Sequence, residues 1–359
     1  MELNEILAVA LKARASDVHL KAGLPPTYRI DGSLRPHPKA ARLTPEEMRK
    51  MAMSIMNERQ RQRFEEFHEV DLAYGVPGLG RFRVNVFSQR GSISMVLRFI
   101  PFEIKTLEEL TLPPVLKKIA SETRGLILVT GATGSGKSTT LAAMIDHVND
   151  LRAEHVVTIE DPIEFIHPDK KCMVEQREIG QDTTSFAEAL KHVVRATPDV
   201  ILVGEMRDLE TISLAITAAE TGHLVFGTLH TTDAMQTVDR AVDVFPPQQQ
   251  QQIRMQLSVS LAAVISQSLL PIKGGGGRIP AFEIMICNPA IRAVIREGKT
   301  HMIYNLIQAG KDDGMVALDQ HLAGLVRSQK VDYEMALAKS SYPNEFAKRC
   351  GIRADTGES

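Results

Sequence analysis

The segment Gly131-Ala132-Thr133-Gly134-Ser135-Gly136-Lys137-Ser138 restricts what this chain can fold into more than any other stretch of it. It fills the pattern G-x-x-x-x-G-K-[ST], and the apolar run Gly125-Leu126-Ile127-Leu128-Val129-Thr130 before it reads as a buried strand. After it, Leu141, Met144, Ile145 and Val148 recur at helical spacing. Strand, glycine loop and helix in that order build an anion site. The glycines let the backbone wrap so that successive N–H groups face inward, beside the positive end of the helix. In such a loop the backbone from Gly131 to Ser138, with Thr139 following, cradles phosphates. Lys137 reaches the β- and γ-phosphates and the Ser138 hydroxyl sits on Mg²⁺, so the expected cofactors are ATP and Mg²⁺.

Acidic and basic residues elsewhere complete a candidate constellation. In Thr158-Ile159-Glu160-Asp161-Pro162-Ile163-Glu164, acids cluster at the end of an expected strand, where they suit holding Mg²⁺ through water or polarising an attacking water. Asp199-Val200-Ile201-Leu202-Val203-Gly204-Glu205 is a second apolar strand ending in an acid, and Glu205 is expected to bind the metal or its water. Arg207 and Asp208 just beyond are expected to relay the state of that site. His230, after the strand that begins near His223, is placed to sense a γ-phosphate; a structural hydrogen bond is the alternative. In Arg81-Phe82-Arg83-Val84-Asn85-Val86 a period of two puts both arginines on one face. That face is either simply solvated or reaches an ATP held by a neighbouring subunit.

The length of 359 residues favours two domains. Residues 1–100 read as a small α+β domain: an amphipathic helix, a hairpin turning on Asp31-Gly32, a helix opened by Thr44-Pro45-Glu46-Glu47, and strands over residues 70–74, 80–89 and 92–100. A proline-rich stretch, 101–114, reads as a linker. From Val115 to residue 353 strands and helices alternate, with strands expected at 125–130, 155–160, 199–203 and 223–228, the order of a mostly parallel α/β sheet. The glutamine run 248–252 reads as the polar start of a long helix, because Ile253, Leu257, Leu261 and Val264 continue at helical spacing. A strand is expected near 278–286, then helices, then a flexible tail at 354–359.

A formal net charge of −2 gives no general pull toward nucleic acid. Cys172, Cys287 and Cys350 stand far apart, with neither metal nor disulfide spacing, which fits a reducing compartment. The start of the chain lacks the pattern of a signal peptide, and the most apolar region, 257–272, is broken by Ser258, Ser260, Ser266, Gln267 and Ser268. A cytoplasmic protein without direct membrane insertion is expected, meeting a membrane through partners.

Taken in order, these motifs resemble the secretion ATPase superfamily that powers type II secretion and type IV pili, and within it the pilus retraction motors. The resemblance runs from Ser16-Asp17-Val18-His19 to Ala290-Ile291-Arg292-Ala293-Val294-Ile295-Arg296-Glu297. It implies a PAS-like N-terminal domain, a RecA-like ATPase domain and a homohexamer with ATP between domains. The ring is expected to lie at the inner membrane and act on a pilus platform protein there. It further implies that Gly131 to Ser138 is the Walker A loop and that Glu160, Asp161 and Glu164 form the Asp box. Glu205 becomes the Walker B acid, His223 and His230 the His box, and Arg81, Arg83 and Arg98 the finger arginines. With three cysteines the sequence has no four-cysteine insertion, and neither it nor the extra N-terminal domain usual in pilus assembly motors is expected here. At Thr197, before Pro198-Asp199, relatives tend to have Asp. Assembly or secretion motors, an ATP-gated scaffold and a DNA motor are the competing readings.

Overall fold

The computed structural model describes residues 1–100 and 103–351; the expected tail at 354–359 and the first two residues of the expected linker lie outside them. The chain divides into two compact units, Met1–Glu103 with Glu164–Ile166, and Ile104–Ile163 with His167–Ser359.

The first unit is α+β. Its strands are β1 (Asp17–Lys21), β2 (Thr27–Ile30), β3 (Ser33–Pro36), β4 (Glu69–Val76), β5 (Gly80–Gln89) and β6 (Ser92–Ile100), in the order β3-β2-β1-β6-β5-β4. The β2–β3 hairpin turns on Asp31 and Gly32, whose φ of 49° and 79° give the doubly left-handed geometry that matches strand twist. The helix Pro45–Ile55 opens with the reciprocal cap expected of its sequence: Thr44 accepts from the Glu47 N–H and the Glu47 carboxylate from the Thr44 N–H. Along β5, Phe82, Val84 and Val86 are buried with Met95 and Leu97 of β6 and with Ile6 and Leu7 of the first helix. Alternation leaves Arg83 exposed and Arg81 half-buried on the opposite face.

The second unit holds β7 (Gly125–Thr130), β8 (His155–Glu160), β9 (Met173–Glu178), β10 (Val200–Val203), β11 (Leu224–Leu229), β12 (Leu261–Pro271) and β13 (Arg278–Ile286). Their order is β13-β12-β7-β11-β10-β8-β9, parallel throughout except for the β12–β13 pair. This is a RecA-like α/β architecture, and its apolar strands have helices on both faces. Leu126, Leu128, Ile201 and Val203 pack into one core, and Ile127, Val129, Val200 and Leu202 into the other. Burial on both faces is why these strands read as continuous apolar runs.

One expectation for this unit needs correction, and one strand had no expectation at all. The helix Pro247–Ser260 does not continue through Leu261 and Val264, because β12 begins at Leu261 and pairs with both β7 and β13. A strand buried on both faces satisfies the same apolar pattern as a buried helix. The polar edge strand β9 (sequence MVEQRE) was not expected, because an edge strand with one packed face carries little apolar signal. Inside the expected linker, Leu107 and Leu112 are buried in the core of the second unit. Among the described residues no helix is long and apolar enough to cross a membrane.

Thr197 is exposed and sits at φ 52°, a left-handed conformation unfavourable for a β-branched residue and better tolerated by Asn or Asp. Thr197→Asn is therefore expected to raise stability by about 1 kcal/mol, read as a higher urea midpoint with an unchanged denaturant slope.

Candidate active site

The glycine loop joins β7 to the helix Lys137–Leu151 with Gly131, Gly134 and Gly136 at φ of 140°, 77° and 92°. An added Cβ would lie 2.3 Å from the Gln267 carbonyl oxygen at position 131 and 2.6 Å from Gln267 Nε2 at position 136. Gly131 is thus required by close approach to backbone as well as by φ, whereas at Gly136 the neighbour is a side-chain end and φ sets the requirement. Ala132, Thr133 and Gly134 are exposed at the loop's crest, and Ser135 is buried beneath it. Lys137 Nζ folds back over the loop, donating to the carbonyls of Gly131 at 2.8 Å and Ala132 at 3.1 Å. Ser138 and Thr139 follow in the first helical turn, half-buried.

Parallel pairing brings the carboxyl ends of β7, β11, β10 and β8 to one edge of the sheet, with Thr130 level with Leu229 and Val203 level with both Gly227 and Ile159. β10 lies two strands from β7, about 10 Å across the sheet. Gly204 lets its end come close to β8: its N–H donates to the Ile159 carbonyl at 2.7 Å, and a Cβ there would be 3.0 Å from that oxygen. Glu160 ends β8, and its Oε1 accepts from Thr158 Oγ1 at 2.7 Å and Gln176 Nε2 at 3.1 Å.

Glu205 follows β10. Its Oε1 lies 2.6 Å from His230 Nε2, and it also pairs with Arg207. Burial pushes the Glu205 carboxyl up, but hydrogen bonds from Arg207 and His230 outweigh burial and hold it below the usual range. Such a carboxylate stays ionised at neutral pH, which suits holding a cation or orienting water better than strong general-base chemistry. The three residues line a cleft of about 370 Å³ with Met206, Leu229, Thr231 and Arg240.

The remaining candidates fall elsewhere. His223 precedes β11, at the end of that strand opposite His230, and its Nδ1 meets the Ala218 carbonyl at 2.9 Å. Glu164 falls in the segment grouped with the first unit, whereas Glu160 and Asp161 belong to the second. Arg83 lies opposite Arg98 on the β5–β6 pair of the first unit, and Arg98 Nε donates to Asp17 Oδ1 at 2.8 Å. Burial raises the Asp17 pKa, yet hydrogen bonds from Arg98 and Ser16 bring it below the usual range. Sequence reasoning missed Gln176 and Gln267, which lie on the strand that was not expected and on the one read as helix. It also missed Arg240, whose only signal was its place on the helix after His230.

A buried acid lies just beyond His230. Glu283 on β13, 3% exposed, accepts the Ala234 N–H at 2.8 Å, at the start of the helix Ala234–Asp243. Burial pushes its pKa up to about 7 from an ordinary 4.5. Because the folded value is raised, its favourable contribution is complete below the ordinary value and is lost as pH rises through about 7. Glu283→Gln keeps an acceptor for Ala234 and removes the charge. Urea unfolding should find the variant more stable by about 2 kcal/mol at pH 8 and level with the parent at pH 4.

A mostly parallel sheet bearing strand, glycine loop and helix at its carboxyl edge defines a P-loop α/β protein. Residues 1–329 match the family model described as type II/IV secretion system protein. The chain is 53% identical over 346 residues, 96% of its length and 100% of the relative's, to a Pseudomonas aeruginosa protein named type IV pilus retractation ATPase PilT. It is 51% identical over 311 residues, 87% of its length and 83% of the relative's, to a Neisseria gonorrhoeae protein named twitching motility protein. A crystal structure of the pilus retraction motor PilT with bound ADP superposes with a TM-score of 0.90 at 50% identity, covering 96% of this chain and 98% of that one. The chain belongs to the type II/IV secretion system protein family.

Proposed function

We propose that this chain is an ATP-hydrolysing motor that drives type IV pilus retraction. It works as a homohexamer held at the cytoplasmic side of the inner membrane through a pilus platform protein. The observation that carries this reading is the meeting, at one edge of the parallel sheet, of an intact phosphate loop and the Glu205–His230 pair. Similarity across 96% of the chain to a relative named as a retraction ATPase supports the cellular role.

In this reading the backbone N–H groups of Gly131 to Thr139 (through Ala132, Thr133, Gly134, Ser135, Gly136, Lys137 and Ser138) bind the phosphates of ATP, and Lys137 leaves its loop carbonyls for the β- and γ-phosphates. Ser138 and Glu205 are hard oxygen donors that fit Mg²⁺, which takes one or two carboxylates and phosphate oxygens in preference to a protein cage. When bound, Mg²⁺ supplies charge neutralisation on the phosphate oxygens. Glu160 and Glu205 orient the attacking water, and His230 moves from Glu205 to the γ-phosphate, reporting its loss to Arg207. Water attacks the γ-phosphorus, the bond to the β-phosphate oxygen breaks, and the products are ADP and phosphate. Arg81 and Arg83 of an adjacent copy balance the charge of the leaving group. Loss of the phosphate then changes what the loop and His230 hold, and the ordering and release of those elements is turned into motion.

The test is a mixture of Arg83→Ala and Lys137→Ala proteins, each expected to be inactive alone. Mixed rings should recover part of the wild-type ATP turnover, because some interfaces pair an intact loop with an intact arginine. No recovery would refute action across subunits, and a wild-type chain that binds ATP without turnover would be a scaffold instead.

A further inference from the structure

The strand beside the phosphate loop carries three consecutive polar residues, Ser266, Gln267 and Ser268, the first two of them buried. Ser266 and Gln267 on β12 are 2% and 4% exposed, between Val264-Ile265 and Leu269-Leu270. A buried polar side chain costs free energy unless it is hydrogen-bonded, so an apolar pair would pack here at lower cost. Both side chains instead meet the two ends of the glycine loop. Ser266 stands level with Thr130, the last residue of β7, and their hydroxyls are 2.9 Å apart in a buried hydrogen bond. Gln267 Oε1 accepts from the hydroxyl of Thr140 at 2.7 Å; Thr140 is 1% exposed on the first turn of the helix leaving the loop. Between these ends, the backbone carbonyl and Nε2 of Gln267 fill the positions that side chains at 131 and 136 would occupy.

We propose that Ser266 and Gln267 are positioning residues that hold the phosphate loop in its binding curvature, with Gln267 the principal one; this rests on the nucleotide-site reading above. The loop's grip on phosphate depends on several N–H groups pointing at one place, and a crest that is exposed from Ala132 to Gly134 has little packing to keep them there. Fixing Thr130 on the way in and Thr140 on the way out, with Gln267 against Gly131 and Gly136, restrains the span from below. Gln267 acts through the loop and Thr140.

The test compares Gln267→Met, which keeps the volume and removes the acceptor, with Thr140→Val, which keeps the shape and removes the donor, and with their double variant. Equilibrium titration of the full-length protein with a fluorescent ADP is read beside its unfolding midpoint without nucleotide. Each single variant should bind ADP about tenfold more weakly, equivalent to about 1.4 kcal/mol. The double variant should bind no more weakly than either single one, because the two remove one shared interaction. Wild-type affinity in both single variants, or a lowered unfolding midpoint with unchanged affinity, overturns the positioning role while leaving the nucleotide site standing. A wild-type chain that fails to bind ADP overturns the nucleotide-site reading itself and this inference with it.

Discussion

Lys137→Ala is expected to lower ATP turnover by about 10³-fold, the size of loss that follows removal of a preorganised charge from developing negative charge. The physical case is the side chain's present position. Nζ donates to the carbonyls of Gly131 and Ala132 on the loop's own backbone, so it already lies over the loop. An arriving triphosphate is a far better partner, and exchanging neutral carbonyls for phosphate oxygens strengthens each hydrogen bond. Lys137→Arg should restore little, because a planar fork replaces a compact point charge within a loop whose spacing is set by glycines. Phosphate release at saturating Mg·ATP measures the loss, and turnover within about twofold of the parent would remove the loop from the chemistry.

Glu205→Gln is expected to lower turnover by about 10²- to 10⁴-fold while leaving nucleotide affinity near that of the parent. Glu205 is separated from the loop by β11, so binding by the loop's N–H groups does not depend on it. Its charge matters at the reacting end. The substitution keeps the carbonyl-like acceptor for Arg207 and His230 but removes the anion that would hold a cation or align water. An unchanged rate would move that role to Glu160, whose Oε1 is already oriented by Thr158 and Gln176.

The parts of the structure legible in the sequence are those where local chemistry and tertiary packing agree. The segment 125–138 specifies its own strand, loop and cap, and the Thr44 and Asp31-Gly32 signals act within a few residues of themselves. Leu261 to Leu270 is different: its identity as a strand comes from β7 and β13 on either side, and nothing within the segment separates a buried strand from a buried helix. That ambiguity also hid Gln267, whose polarity looked like an interruption of an apolar run until its neighbours were in place. His223 and His230 show the complementary case. Both flank one strand, but the direction of β11 carries only His230 to the edge where the loop and Glu205 lie.

The most direct test of a loop that binds and an acid that helps to cut is the identity of the nucleotide retained after rapid mixing with Mg·ATP and removal of the excess. Wild-type protein should retain ADP, Glu205→Gln should retain ATP, and Lys137→Ala should retain almost nothing. ADP on Glu205→Gln at the wild-type level, or ATP held normally by Lys137→Ala, would contradict that division of labour.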